Sequence, residues 1–456
     1  MKRTYEELEA DFRHTKELLK KALEEIAKLK ERLSSNSKNS SKSPSTDQKG
    51  NTPENKKKPR ASRVGKARAP LPPERITKHV GCGCDNCSYC GSEYIRWTGE
   101  SELFQQAELP EVKAIVTQYE LLRYQCMRCR KHSVASLPEG VPDSAFGPRL
   151  MGLLVTLTGV MHVSKREAIQ LIKDLYDINV SIGSVPNIEE RAAKALSPVY
   201  DRIHEFVLKS KWCKYFDETG WRDSGKRHFI WLASCQHAAV YMIDRTRSAA
   251  AFQRLIGQKT WDSPSVTDRY GVYHSLTRHQ YCLAHLIREF RKHGERSGLD
   301  KEISCVIEKE LMFICSKHRD YREGKISLAQ RNRCLGQRRH KVLSWLADGI
   351  ANGSNLLSTL CDTLFDNFDK LWTFTKISGM EPTNNTAERD LRKLVLWRKK
   401  SYGTRSERGK RFVERITTIA QTLRKQGLNV LSFLQKTLEG FYRQSVPPFI
   451  SESMGF

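Results

Sequence analysis

Apolar positions in the first 33 residues recur in sevens. Tyr5, Leu8, Phe12, Thr15, Leu19, Ala22, Ile26, Leu29 and Leu33 take successive a and d places among Glu and Lys, with no Gly or Pro between. Four such heptads predict a coiled coil over residues 1–33 and hence self-association, because the polar tract that follows offers a lone amphipathic helix nothing to pack on. The pattern then disappears. Ser34–Pro44 is almost wholly Ser, Asn and Lys, and Lys56, Lys57, Lys58, Arg60, Arg63, Lys66 and Arg68 follow. Such a stretch cannot bury a core, and it predicts a disordered basic linker over residues 34–78. It either neutralises DNA phosphates without regard to sequence or is a solvated spacer.

Short β-like runs such as Val112–Glu120 surround a group of cysteines in residues 79–140. Residues 141–210 read as helical. Arg149 to Val160 is apolar, Ser164 with Glu167 three places on has the form of a capping box, and a helix is expected through Tyr176. After a break at Asp177–Val180, Ser181 caps a second helix to about Leu196. Helix, short turn, helix in a basic chain fits a DNA-binding helix-turn-helix; ordinary packing in a helical bundle fits it slightly better.

From Lys211 the period changes to two. Trp212–Asp217, His228–Cys235 and Ala238–Asp244 are apolar or alternating runs separated by turn material at 220–225 and 236–237, which predicts an antiparallel meander. A helix Ser248–Ile256, a strand ending at Asp268 and another at about His279–Leu283 are expected next. Long helical stretches from Ala284 to Phe374 and again over Ala387–Lys400 and Lys410–Phe441 complete a domain at 211–440, with a helical insertion at about 286–375 and a tail at 441–456. The fold class read from this pattern is a multidomain α+β/α chain.

Composition narrows the function. The chain has 456 residues, 39% of them hydrophobic, enough for several cores. No run approaches the ~20 apolar residues of a membrane span, and the charged start lacks the stretch of a secretory signal, so neither a membrane nor a secreted protein is expected. Lys and Arg number 78 against 52 Asp and Glu, a formal charge of +26. That surplus repels itself unless a polyanion is present, and nucleic acid is the expected partner.

Six of the 13 cysteines lie between Cys82 and Cys129, and the rest are scattered, which suits a reducing compartment better than a disulfide framework. Cys87-Ser88-Tyr89-Cys90 and Cys126-Met127-Arg128-Cys129 are two CxxC pairs with 35 residues between them. Two such turns make a closed tetrahedral S₄ site, the geometry of structural zinc in a zinc-ribbon-like finger, with no open position for catalysis. Cys84-Asp85-Asn86-Cys87 is also CxxC, and Gly91 after Cys90 favours the Cys87/Cys90 pair. Cys213, Cys235, Cys305, Cys315, Cys334 and Cys361 read as buried or incidental thiols. Cys282-x-x-His285 is half of a metal site without a partner pair or, better supported, a packed cysteine and helix-start histidine.

Cutting DNA by phosphoryl transfer calls for two divalent cations held by hard carboxylate oxygens. Acidic residues at the ends of elements in the strand-rich region are Asp217, Glu218, Asp244, Asp268, Glu388 and Asp390. Pattern alone does not separate Asp244, after Val240–Ile243, from Asp268, after Val266-Thr267. Trp221, just past Asp217, either stacks on a DNA base or packs in the core; Trp212, Trp231, Trp372 and Trp397 read as core. Six basic groups, Arg389, Arg392, Lys393, Arg398, Lys399 and Lys400, crowd the twelve residues after Glu388, and Arg392 lies on the same side of the helix as Glu388. They suit a DNA backbone entering beside a metal-binding carboxylate, with Tyr402, Arg405 and Arg408 extending the groove.

Asp217-Glu218-Thr219-Gly220-Trp221, Thr267-Asp268-Arg269-Tyr270, Cys282–Phe290 and Asn384–Arg392 resemble, in order, the motifs of bacterial insertion sequence 66-type transposases. The heptads, the Ser/Asn/Lys tract and the double CxxC match that family's layout, with Leu283 where the family often has Trp. The resemblance implies an RNase H-like catalytic domain whose Asp-Asp-Glu triad falls on Asp217, Asp268 and Glu388, separated by 51 and 120 residues. It implies two Mg²⁺ ions, with Mn²⁺ as a substitute, held by those three. It also implies cleavage of the element's ends, joining of the 3′-hydroxyl to target DNA, accessory proteins of the same element, and a bacterial cytoplasmic, nucleoid-associated setting. The alternatives are a catalytically silent DNA-binding protein derived from a transposase and a general metal-dependent nuclease.

Overall fold

The computed structural model describes residues 5–34, 69–258 and 261–445. Helix α1 (Tyr5–Ser34) is unbroken over 30 residues, and Tyr5, Phe12, Leu19, Ile26 and Leu29 stand exposed along its heptad seam. Of the expected linker at 34–78, Ser34 ends this helix and residues 35–68 lie outside the described residues, as does most of the tail at 441–456.

The chain divides into two compact units, Pro53–Ile115 and the remainder. In the described part of the smaller unit, Gln105 clamps Leu71 through both of its backbone groups, at 2.5 and 3.1 Å, and Pro73–Arg75 form one 3₁₀ turn. Residues 111–122 carry no strand. The β-like run at 112–120 has no ladder partner, and Val112, Ile115 and Val116 are exposed, so β-propensity alone does not make a strand there.

In the larger unit, a small antiparallel ladder of β1 (Arg123–Gln125) and β2 (His132–Val134) precedes four helices: α2 (Pro148–Val155), α3 (Lys165–Tyr176), α4 (Ser184–Ala195) and α5 (Ser197–Lys209). The capping box forms as expected: Ser164 Oγ accepts from Glu167 N–H at 3.2 Å, and Glu167 accepts from Ser164 N–H at 3.1 Å. The next helix starts two residues later than expected, capped by Gly183, because Ser181 caps a turn and not the helix: its Oγ accepts from Ser184 N–H.

Next come β3 (Lys214–Asp223), β4 (Lys226–Ser234), β5 (Ala239–Asp244), α6 (Ala249–Ile256), β6 (Ser265–Thr267) and β7 (His279–Tyr281). The helices α7 (Leu283–Gly294), α8 (Leu299–Arg322), α9 (Leu328–Asn352), α10 (Asn355–Asp366) and α11 (Thr373–Lys376) form the insertion, and α12 (Asn385–Ser401), α13 (Glu407–Lys425) and α14 (Val430–Tyr442) follow. The sheet order is β5-β4-β3-β6-β7, antiparallel across β5, β4 and β3 and parallel from β3 through β6 to β7.

The expected turn at 220–225 is mostly strand. Only Ser224 and Gly225 turn, both at positive φ (49° and 77°), as a tight two-residue hairpin requires. Asp217 therefore sits within a ten-residue strand and not at its end. Trp221 is buried at 2% exposure and donates its indole N–H to Thr404 Oγ1 at 3.2 Å, so it packs and does not stack on a base.

Strand alternation sends side chains to two cores. Phe216, Trp231, Ala233 and Val240 face one, built with α2 to α6, α13 and α14. Tyr215, Trp221, Ile230, Leu232, Tyr241 and Val266 face the other, built with α7 to α10 and α12. Helices α2 to α5 thus close no core of their own; residues 141–210 share theirs with the sheet and the C-terminal helices. Val185, Ile188 and Ala192 put the apolar face of α4 into that shared core, as helix packing predicts.

Candidate active site

Lys214 and Tyr215 on β3 lie opposite Ser265 and Val266 on β6. Carried on by two residues, one past the end of β6, this parallel register points Asp217 toward Asp268; where the two strands pair they lie about 4.8 Å apart. A period of two puts both carboxylates on the face of Tyr215 and Val266, where α12 packs through Ala387, Leu391 and Leu394. The start of α12 is pinned. Asn384 Nδ2 donates to the Phe216 carbonyl at 2.8 Å, and Asn384 N–H donates to Cys282 Sγ at 3.1 Å. Glu388, one turn on, is thereby held near enough to Asp217 to act on its carboxyl.

Asp217 accepts one hydrogen bond, from Glu218 N–H at 2.9 Å, and Asp268 one, from Tyr270 N–H at 3.0 Å; neither has an ion-pair partner among the described residues. Burial, with Glu218, Asp268 and Glu388 close by, pushes the Asp217 carboxyl well above the usual range. Glu388 is held from α7: Arg288 donates to its Oε1 at 3.0 Å, and His285 Nε2 lies 3.6 Å from the same oxygen. In this arrangement no three His, Cys, Asp or Glu side chains among the described residues are disposed to hold a metal ion.

The other acidic candidates are accounted for structurally. Asp244 takes a two-pronged ion pair from Arg254 at 2.9 and 2.7 Å and caps Thr246. Glu218, its side chain buried, is held by Arg247 and the Tyr273 hydroxyl. Asp390 is buried between Ser234 Oγ at 2.6 Å, Gln421 at 2.8 Å and Lys425 at 2.9 Å, tying α12 to β4 and α13. Asp244 differs from Asp268 in its pairing with Arg254, ten residues on, which no local pattern reveals.

The profile of the Transposase IS66 family matches residues 143–411, which contain all three carboxylates and every element of the sheet. The chain belongs to this family. Residues 1–70 match a second profile, a family of unknown function (DUF6444). No curated protein matches the chain.

In the transposase, Arg389, Arg392, Lys393, Lys399 and Lys400 are exposed on α12. Arg398 is not available in the same way: its guanidinium donates to the Gly220 carbonyl and clamps α12 to β3. Arg408 lies 3.4 Å from Glu190. Cys282 is buried, and His285 and Arg288 share one face of α7 at a spacing of three, so the Cys-x-x-His pair is two packed groups serving different neighbours. Sequence reasoning gave no role to Arg288; its only signal was that spacing.

The two CxxC turns have the same local geometry, each within its own unit. Cys87 N–H donates to Ser92 O at 2.9 Å, and Gly91 N–H returns to Cys87 O at 2.8 Å. Cys126 N–H donates to Lys131 O at 2.8 Å, and Arg130 N–H returns to Cys126 O at 2.7 Å. Gly91 and Arg130 take positive φ, 69° and 57°. In each turn, hydrogen bonds from the following residues to the first sulfur lower that thiol, Cys87 and Cys126, below its ordinary value. No helix among the described residues is long and apolar enough to cross a membrane.

Proposed function

We propose that this transposase cuts the ends of its element and joins the freed 3′-hydroxyl to target DNA, using Asp217, Asp268 and Glu388 in an RNase H-like domain. What supports the reading is the β3–β6 pairing, which brings Asp217 toward Asp268, together with Glu388 near enough to raise the half-buried Asp217 carboxyl, which has no ion-pair partner among the described residues. The sheet order, three antiparallel strands continued by two parallel ones, supports the RNase H-like assignment.

The donor set fits Mg²⁺, or Mn²⁺ in its place: carboxylate oxygens are hard ligands, and a half-buried carboxylate with others close by favours positive charge. Two such ions supply Lewis-acid stabilisation to the attacking and leaving oxygens of a phosphodiester. The chain's own groups do the rest. Arg288 and His285 restrain Glu388 until a metal draws on it, the Asn384 clasp fixes the helix that carries it, and the exposed cations of α12 neutralise the incoming backbone.

Cys87, Cys90, Cys126 and Cys129 are proposed separately as structural zinc ligands; the matched turns and lowered first thiols support this. The exposed heptad seam of α1 supports pairing with a second copy, which would let two element ends be handled together. Accessory proteins of the same element remain part of the proposal on family grounds.

Strand cleavage and joining by the purified chain, on DNA carrying the element's ends and with Mg²⁺, tests this. Asp217→Asn, Asp268→Asn and Glu388→Gln are expected to abolish both steps while DNA is still bound. Full activity in these variants overturns the reading. Salt-dependent binding without cleavage in the parent chain selects the silent DNA-binding alternative, and cleavage without joining selects a nuclease.

A further inference from the structure

A cationic concavity lies away from Asp217 and Asp268, at the outer edge of the sheet. Between the end of β5, the β3–β4 hairpin and the start of α13 opens a cleft of about 550 Å³. Lys226, Arg227, Arg245, Arg254 and Lys410 wall it around a single carboxylate, Asp244. Two of these cations are already engaged. Arg254 is paired with Asp244, and Lys410 lies 2.7 Å from Glu407 and 3.7 Å from Asp223. Lys226, Arg227 and Arg245 are exposed and make no ion pair among the described residues. Arg227 is steadied by the Phe229 ring, 5.0 Å from its guanidinium carbon.

Pockets for small organic ligands are mostly apolar. Walls of unpaired cations suit a polyanion, and an open cleft suits one that runs through it. The cleft opens at the edge of the same sheet, where alternation puts Lys226 on the side of Ile230 and Leu232, which is the side of Asp217, and Asp244 on the other. Two residues beyond Arg245, Arg247 reaches back to Glu218, the neighbour of Asp217. Asp244 pairs with Phe229 and Phe229 with Gly220, so Asp244 lies two strands across and three residues along from Asp217. At strand spacings this is roughly 14 Å. With a rise of about 3.4 Å per nucleotide along one strand, it corresponds to about four nucleotides.

We propose that this edge cleft is a second DNA-binding site, whose free cations Lys226, Arg227 and Arg245 bind backbone phosphates about four nucleotides from the bond presented to Asp217 and Asp268. The binding of phosphate stands on the cleft alone; its position along the strand rests on the function proposed above.

Binding of the full chain to a short element-end duplex, measured against salt without added divalent cation, tests the cleft apart from cleavage. The triple variant Lys226→Ala, Arg227→Ala, Arg245→Ala is expected to lower the salt slope by about 0.9 for each phosphate it no longer neutralises, and to weaken binding about tenfold or more at physiological salt. A control removing three exposed cations of the insertion, Lys301→Ala, Lys309→Ala, Arg333→Ala, is expected to do less. Methylphosphonates placed about four nucleotides from the cleavage position should weaken the parent chain and leave the triple variant unchanged. Inorganic phosphate should displace no more DNA than chloride of equal ionic strength. An unchanged slope in the triple variant, an equal weakening in the control, or displacement specific to inorganic phosphate overturns the DNA-binding role of the cleft. Methylphosphonate effects equal in both proteins overturn its position along the strand. Absence of cleavage with Mg²⁺, while the triple variant still binds more weakly than the parent, instead counts against the transposase reading.

Discussion

Glu388 Oε1 lies 3.0 Å from the Arg288 guanidinium, so the third carboxylate is engaged by a cation of the chain's own. A metal ion drawing on Asp217 and Asp268 must compete with Arg288 for that oxygen. Arg288→Ala should therefore raise apparent Mg²⁺ affinity. A charge-assisted bond at a half-exposed site contributes on the order of 1 kcal/mol, equivalent to about fivefold. Mg²⁺ titration followed by thermal shift checks this; weaker Mg²⁺ binding in the variant would mean that Arg288 assembles the site and does not restrain it.

Asp217 carries a second expectation. Its folded-state carboxyl is raised by burial and by Glu218, Asp268 and Glu388, whereas in the unfolded chain it titrates near about 3.9. The folded protein binds the extra proton, so without metal its stability falls as pH rises from about 3.9 through the raised value. Asp217→Asn removes that cost. At neutral pH without Mg²⁺ the variant should melt a few degrees higher than the parent, and it should lose the parent's stabilisation by Mg²⁺. A lower midpoint without metal sinks this account of the site's electrostatics.

The parts of the fold legible in sequence are those set by local pattern. The heptads of α1, the Ser164–Glu167 box and the strand run ending at Asp244 follow from period and capping alone. What was not legible depended on distant partners. The strand through Thr219–Trp221 exists because β4 pairs with it, while the equally β-like 112–120 lacks a partner. Asp217 and Asp268 gain significance from the β3–β6 register, and Asp390 loses it to Lys425. The proposed triad came from motif resemblance, which carries such long-range information, and not from residue spacing.

His162 offers a pH signature outside the catalytic site. Its ring stacks on Trp397 of α12, centroids 4.4 Å apart and planes within 13°. Burial, reinforced by Arg424, Lys393 and Lys400, pushes it down to about 4. The unfolded imidazole titrates near about 6.5 and takes up protons first, so stability is complete above that pH and is lost as pH falls toward the folded value. His162→Phe keeps a ring on Trp397 and removes the titration. Denaturation midpoints of the variant should vary less between those two pH values; an identical slope would show that His162 does not contribute.

The cysteine turns are tested by metal content. Cys87→Ser and Cys126→Ser should each lower zinc measured by mass spectrometry toward background, and chelation of the parent chain should expose the residues around both turns to protease. Undiminished zinc in both variants would remove these turns from the proposal.

The most direct test of the central claim is a crystal structure of the chain with DNA and Mn²⁺, read by anomalous scattering. The account predicts peaks bridged by Asp217 and Asp268, with Glu388 turned from Arg288 toward the metal. Peaks elsewhere, or Asp217 and Asp268 left without metal at full Mn²⁺ occupancy of other sites, would contradict it.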